Sequence, residues 1–148
     1  NNNIDEELNI SASSSNGSDW PPKNAISYDN PNIQFMSTNS PNSWLCFEFK
    51  NHTVILNYYE IRSYCYGPNN YHPKSWVIEG SNDQLNWSIL DEQKNCSSLN
   101  NRSVIQIFKI NNQNSTSFKF IRMKLTGENW SGSHSLKINS FEIYGKLI

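Results

Sequence analysis

The run Ser75-Trp76-Val77-Ile78-Glu79-Gly80-Ser81-Asn82-Asp83-Gln84-Leu85-Asn86-Trp87 constrains this chain more than any other segment. Val77 and Glu79 alternate with Trp76, Ile78 and Gly80, the pattern of a strand whose successive side chains point to opposite faces. Ser81-Asn82-Asp83 then supplies short polar side chains that bond back to their own backbone and reverse the chain. Trp87 opens the next strand. Two strands joined by so tight a reversal predict an antiparallel β architecture.

The rest of the chain keeps that rhythm. Strands are predicted over 8–13, 45–49, 57–64, 75–81, 87–92, 103–110, 118–126 and 137–145. Leu45, Phe47 and Phe49 alternate with Cys46 and Glu48, and Met123 and Leu125 alternate with Arg122 and Lys124, so one face of each strand is buried. In the last strand Phe141 and Ile143 fall in the phase of Asn139, not of Ile138; this slip at Asn139-Ser140 predicts a bulge or a late strand start. One helical turn is predicted over 22–27, opened by proline. Helical periodicity is otherwise nearly absent, and no internal repeat or linker interrupts the chain.

Composition narrows the function classes. At 148 residues the chain reads as one domain, 1–148, large enough to bury a core. A net charge of −1 argues against nucleic acid, which selects a broad positive field. No apolar run reaches the ~18 residues of a membrane span. Five Trp, seven Tyr and seven Phe against few aliphatic residues require aromatic side chains to fill much of the core. N-x-[ST] sequons at Asn9, Asn16, Asn51, Asn86, Asn95, Asn101, Asn114 and Asn129 follow from the abundance of Asn and Ser. They are poor evidence of secretion. Cys46, Cys65 and Cys96 match no zinc spacing and read as buried structural thiols.

Three motifs in order carry a family resemblance. Ser81-Asn82-Asp83-Gln84-Leu85-Asn86-Trp87 resembles the "S-x-D-g-x-x-W" signature of discoidin, or F5/8 type C, domains. Phe120-Ile121-Arg122-Met123-Lys124-Leu125 followed by Phe141-Glu142-Ile143-Tyr144-Gly145 looks like the family's C-terminal ending, and Ile10-Ser11-Ala12-Ser13-Ser14 is similar to its "I-x-A-S-S" start. The resemblance implies an all-β, eight-stranded antiparallel jelly-roll sandwich of the galactose-binding type. Secreted members usually close their ends with a disulfide. Neither terminus here has a cysteine, which points to a cytoplasmic setting and to the modules of longer multidomain proteins. A monomer is expected for the isolated domain.

That architecture implies that the loops 65–74 and 126–136 share one end of the sandwich with 16–23 and 36–43. The turns 50–56, 82–86 and 111–117 then occupy the other. The first set carries rigid aromatics, amides and imidazoles, which offer contact area and hydrogen bonds at low entropic cost. Trp20, Tyr66, Asn69, Asn70, Tyr71, His72, Asn129, Trp130 and His134 are the candidate ligand-binding residues. Trp44, Trp76 and Trp87 read as structural. Arg62 and Arg122 read as ion-pair partners for Glu60, Glu79 or Glu142. His52 belongs to the opposite end.

No nucleophile elbow, phosphate-cradling glycine loop or H-E-x-x-H is present, so no catalytic role is expected. Glycan-binding relatives suggest Asp29 and Glu142 as weak candidates for a structural calcium, although that ion prefers more carboxylates than this context supplies. No other cofactor is implied. Sugars stack on aromatic rings and protein hot spots use the same side chains, so two readings stand: an interaction module for a protein partner or glycan, and a lectin for galactose-type sugars. A phospholipid surface ranks third, because cations beside the exposed aromatics are few.

Overall fold

The computed structural model describes residues 8–111 and 115–148. In chain order its elements are β1 (Leu8–Ala12), a 3-10 turn (Pro22–Ile26), β2 (Phe35–Met36), β3 (Trp44–Phe49), β4 (Val54–Arg62), β5 (Trp76–Ser81), β6 (Ser88–Gln93), β7 (Ile105–Lys109), β8 (Phe120–Leu125), β9 (Lys137–Ile138) and β10 (Ser140–Leu147). A five-stranded sheet of order β1-β3-β8-β5-β6 packs on a three-stranded sheet of order β10-β4-β7, and β2 pairs with β9 alone. All these pairings are antiparallel. The all-β sandwich is therefore as the sequence predicts, as is the single helical turn. The predicted turn over 111–117 includes 112–114, which with the Asn114 sequon lies outside the described residues.

The two sheets are joined by an aromatic seam. Phe47 of β3 stacks on Phe141 of β10 at 5.1 Å between ring centroids, and Phe141 on Tyr59 of β4 at 5.5 Å. Tyr59 stacks on Phe108 of β7 at 4.9 Å, and Phe108 meets Trp76 of β5 edge-on at 5.5 Å. Each such pair adds roughly 0.5–1.5 kcal/mol beyond the area it buries. The polar atoms within the seam are satisfied: Trp76 Nε1 donates to Tyr59 Oη at 3.0 Å, and that hydroxyl donates to Asp91. Burial and the Asp91 carboxylate push the Tyr59 hydroxyl far above its ordinary range.

The outer face of the large sheet holds a second polar–aromatic layer. The Arg122 guanidinium lies 3.8 Å from the Trp87 ring centre and 5.9 Å from that of Trp44. Its Nε bonds Glu79 at 3.2 Å, and Lys124 reaches the same carboxylate at 3.3 Å. Trp44, Trp76 and Trp87 are structural, as expected, and Arg122 finds one of its expected partners. Arg62 does not. It donates to the Asn139 side-chain oxygen and, at 2.6 Å, to the Tyr28 carbonyl.

Those contacts explain the phase slip at Asn139-Ser140. Asn139 is fully buried between β9 and β10, where the chain leaves the short ribbon for the three-stranded sheet. Its amide nitrogen donates to the Asn30 carbonyl at 2.9 Å and to that of Ile33. One asparagine thus replaces the ladder bonds that the crossing interrupts. The second irregularity is at Gly145, where the β10–β4 register shifts. A Cβ there would stand 2.1 Å from the Ile55 carbonyl oxygen, so the close backbone approach requires glycine. Cys46 is buried and its thiol pushed up to about 12 by burial; Cys65 and Cys96 are only half-buried, and all three thiols are free.

Candidate functional site at the loop end

Antiparallel pairing fixes which connections meet. Ala12 pairs with Leu45, Trp44 with Lys124, Trp76 with Leu125 and with Gln93, and Arg62 with both Ser140 and Ile105. The segments 13–43, 63–75, 94–104 and 126–139 consequently emerge at one end. The turns 50–53 and 82–87 lie at the other. The expected sharing of an end by 65–74 and 126–136 is direct, since Trp130 N–H donates to the His72 carbonyl at 3.1 Å.

The centre of this end is a side chain that sequence reasoning did not select. Lys137, the first residue of β9, is 5 % exposed. Its Nζ lies 4.3 Å from the ring centre of Tyr64, 5.1 Å from Trp20, 5.5 Å from Tyr66 and 5.6 Å from Tyr71. Among the described residues it makes no ion pair. Burying an unpaired ammonium costs several kcal/mol, and each desolvated ring contact returns up to about 2 kcal/mol. Four rings are therefore of the order needed to hold the charge. Burial also draws its pKa below the usual lysine range, opposed by the neighbouring Cys65.

His72 lies beside this cage and is completely buried. Its ring packs on Tyr64 at 4.6 Å between centres. Its Nε2 is 2.9 Å from the carbonyl oxygens of both Tyr66 and Gly67, so Nε2 carries the proton and donates to them. Nδ1 has no partner among the described residues. Burial lowers the pKa of this imidazole, and the Lys137 charge adds to the effect. The Tyr64 hydroxyl accepts from the Tyr71 N–H at 2.8 Å, and burial pushes it up to about 12. His72 and Tyr64 thus pin the backbone that presents Tyr66 and Tyr71.

The other candidates divide into rim and frame. Tyr66 is 54 % exposed and Tyr71 36 %; with half-buried Trp20 they are the candidates that converge on one spot. Asn129 is buried, and its side chain is fully used: Oδ1 accepts from Ser131 N–H, Ser131 Oγ–H and Ser133 N–H at 2.9–3.1 Å, while Nδ2 donates to Ser133 Oγ and the Ser135 carbonyl at 2.9 Å. Asn70 Nδ2 donates to the Gly67 carbonyl at 2.9 Å, and Asn69, at positive φ, bonds Asn100 through its N–H at 2.8 Å. Trp130 donates its indole N–H to the Cys96 carbonyl at 3.2 Å and carries Lys74 over its ring at 4.6 Å. His134 joins the 36–43 loop through its backbone N–H, 2.8 Å from Asn39 Oδ1.

With that geometry in view, comparison with known proteins decides the family. The F5/8 type C domain matches residues 9–139. The chain belongs to this family. Among curated proteins the F5/8 type C domain described here is 24 % identical over 128 residues, 86 % of its length, to the E3 ubiquitin-protein ligase hecd-1 of Caenorhabditis elegans. It is 31 % identical over 78 residues, 51 % of its length, to the E3 ubiquitin-protein ligase Ufd4 of Drosophila melanogaster. It spans only 5 % and 3 % of those proteins. Among solved structures, CpGH89CBM32-5 from Clostridium perfringens, in complex with GalNAc-β-1,3-galactose, superimposes with a TM-score of 0.75 at 15 % identity, covering 96 % of this chain and 98 % of that one. The family 32 CBM of C. perfringens NanJ, in complex with galactose, gives 0.72 at 14 % identity and 95 % of each chain. At these identities the likeness establishes the fold.

Around Asp29 and Glu142, as elsewhere among the described residues, no group of three His, Cys, Asp or Glu side chains gathers. Glu142 sits opposite Glu60 across the β10–β4 pair, and burial together with Glu142 pushes the Glu60 carboxyl upward. The loop 94–104, which sequence reading left out of the site, is part of its frame through Cys96 and Asn100. Its signal was weak, being the parity of an antiparallel connection and no chemical motif.

Proposed function

We propose that this F5/8 type C domain is a non-catalytic interaction module that docks a protein partner on the rim formed by Trp20, Tyr66 and Tyr71. The observation that carries the reading is convergence: rings from positions 20, 66 and 71 meet around one point, and two of them remain open to solvent. Rigid aromatics of this kind dominate interface energetics. The side-chain amides of Asn70 and Asn129 bond their own loops, and the Trp130 indole bonds the Cys96 carbonyl of the 94–104 loop, which leaves few groups to read sugar hydroxyls. Lys74 and Lys137 lie over rings and do not form the basic edge that a phospholipid surface would need. The ubiquitin-ligase relatives, of which the matched region is a small part, support a module within a longer protein.

A glycan is the second reading, favoured by solved neighbours that carry GalNAc-β-1,3-galactose and galactose. A glycan array probed with the folded domain, beside affinity capture from cell extract, separates the two. Tyr66→Ala with Tyr71→Ala is the control for both. Capture of a specific protein that the double variant loses supports the first reading. Competable binding to one sugar class, lost in the same variant, supports the second. Binding that survives the double variant places the site elsewhere.

A further inference from the structure

We infer that the partner's contribution to this site is a carboxylate, supplied by an acidic peptide segment that reaches Lys137 between Tyr66 and Tyr71. The inference rests on the reading of the loop end as the docking surface. It starts from the ammonium. Lys137 has three N–H donors, and none of them is hydrogen-bonded to or ion-paired with another described residue; four aromatic rings satisfy its charge from the sides but offer no lone pair in line with those donors. Among the described residues the fully buried polar atom without a partner is His72 Nδ1; Lys137 Nζ keeps contact with solvent, so a ligand acceptor can reach it in a charge-assisted hydrogen bond.

The surroundings select the sign and size of that ligand. Among the described residues no Asp or Glu pairs with Lys137, and burial favours the neutral form of His72 beside it, so the half-buried Cys65 thiol is the acidic group nearest to act on the ammonium. Tyr66 and Tyr71 are at once walls of the cage and the exposed part of the rim, so a group between them meets Lys137 and aromatic surface together. The site suits a carboxylate, which is flat, small and opposite in charge to Lys137. It disfavours a second cation, which Lys137 repels. The loops holding Tyr66 and Tyr71 are tied to the frame through His72, Tyr64 and Asn70, so the rim is preformed. Preformed sites lose less ordering entropy on binding.

The test is selection of a bead-displayed random heptapeptide library on the folded domain, with C-termini either free or amidated. Enrichment of Asp or Glu on wild type, reduced roughly tenfold or more in affinity by Lys137→Met, is the expected result. Persistence with amidated peptides assigns the contact to a side chain, and its loss assigns it to the C-terminal carboxylate. Competition by N-acetylglutamate on the wild-type protein reads the same contact if Lys137→Met fails to fold. Neutral or basic peptides that enrich equally, that resist Lys137→Met and that are lost in Tyr66→Ala/Tyr71→Ala overturn the inference and leave the docking site standing. A uronic-acid oligosaccharide that binds through Lys137 where no peptide does overturns the peptide assignment. Peptides whose binding is indifferent to all these substitutions overturn the docking site as well.

Discussion

At one end of the sandwich Asp83 accepts hydrogen bonds from Leu85 and Asn86, within three residues of itself. At the other, Lys137 is enclosed by rings from positions 20, 64, 66 and 71. The first is short-range chemistry. Ser81 Oγ accepts from the Gln84 N–H at 2.9 Å, and the Asp83 carboxylate also holds the Asn86 side chain at 2.8 Å, which closes a turn that any reader of Ser81-Asn82-Asp83 can foresee. The second exists only once strands far apart in the chain have paired. The recognisable motif therefore lies at the end away from the candidate ligand, and its role is to reverse the chain between β5 and β6. The local motif and the candidate site lie in different parts of this molecule.

The largest effect is expected where the loop end depends on a single side chain. Asn129→Ala removes five hydrogen bonds from a buried amide and leaves Ser131, Ser133 and Ser135 backbone groups unmatched. A loss of about 3 kcal/mol in urea unfolding is expected, together with shifted amide resonances at His72 and Trp130, whose backbones are bonded to each other. A variant that loses stability without disturbing that pair would show that the two loops are held independently.

A smaller effect is expected at the turn end. Asp83→Ala opens an exposed reversal, so its unfolding midpoint should fall by less than that of Asn129→Ala while ligand binding stays unchanged. The pH dependence gives its sign. Hydrogen bonds from the Asn86 and Leu85 N–H groups hold the Asp83 carboxyl far below its ordinary value of 3.8. Its contribution is present above that value and is lost as pH falls through the lower, folded pKa. Wild type should therefore lose stability on acidification below about pH 4 more steeply than Asp83→Ala. Equal slopes would mean that the turn forms without its carboxylate.

The sequence reading reached most of the fold because strand alternation, tight turns and the helix-opening proline are local. It placed the eight long strands and both sets of loops. It missed β2, since two residues, Phe35–Met36, show no periodicity. It saw the slip at Asn139 but not its cause, because the Asn30, Ile33 and Arg62 partners are far away in sequence. Residue type and loop position are enough to name Trp20, Tyr66 and Tyr71 as candidates, and the fold brings their rings together. The sequence reading named His72 and Asn129 for the same reason, although burial turns both into frame. Lys137 was read as the start of a strand, and nothing local shows that its side chain turns into a ring of aromatics.

The smallest effect tests whether that frame is electrostatically coupled to the cage. His72 is buried neutral, its pKa held below 6.5 by desolvation, while the Tyr66 and Gly67 carbonyls favour the proton and the Lys137 charge opposes it. Tyr64 packs on the ring and adds no charge. A group depressed in this way binds its second proton later in the native state than in the unfolded one. Stability is unaffected above about pH 6.5 and falls as pH drops below it towards the native pKa. His72→Gln should remove that component from the urea midpoint below about pH 6.5. Lys137→Met should reduce it in part, because the charge that opposes protonation beside desolvation is gone. If Lys137→Met leaves the slope unchanged, the caged ammonium and the buried imidazole do not sense each other, and desolvation alone keeps His72 neutral.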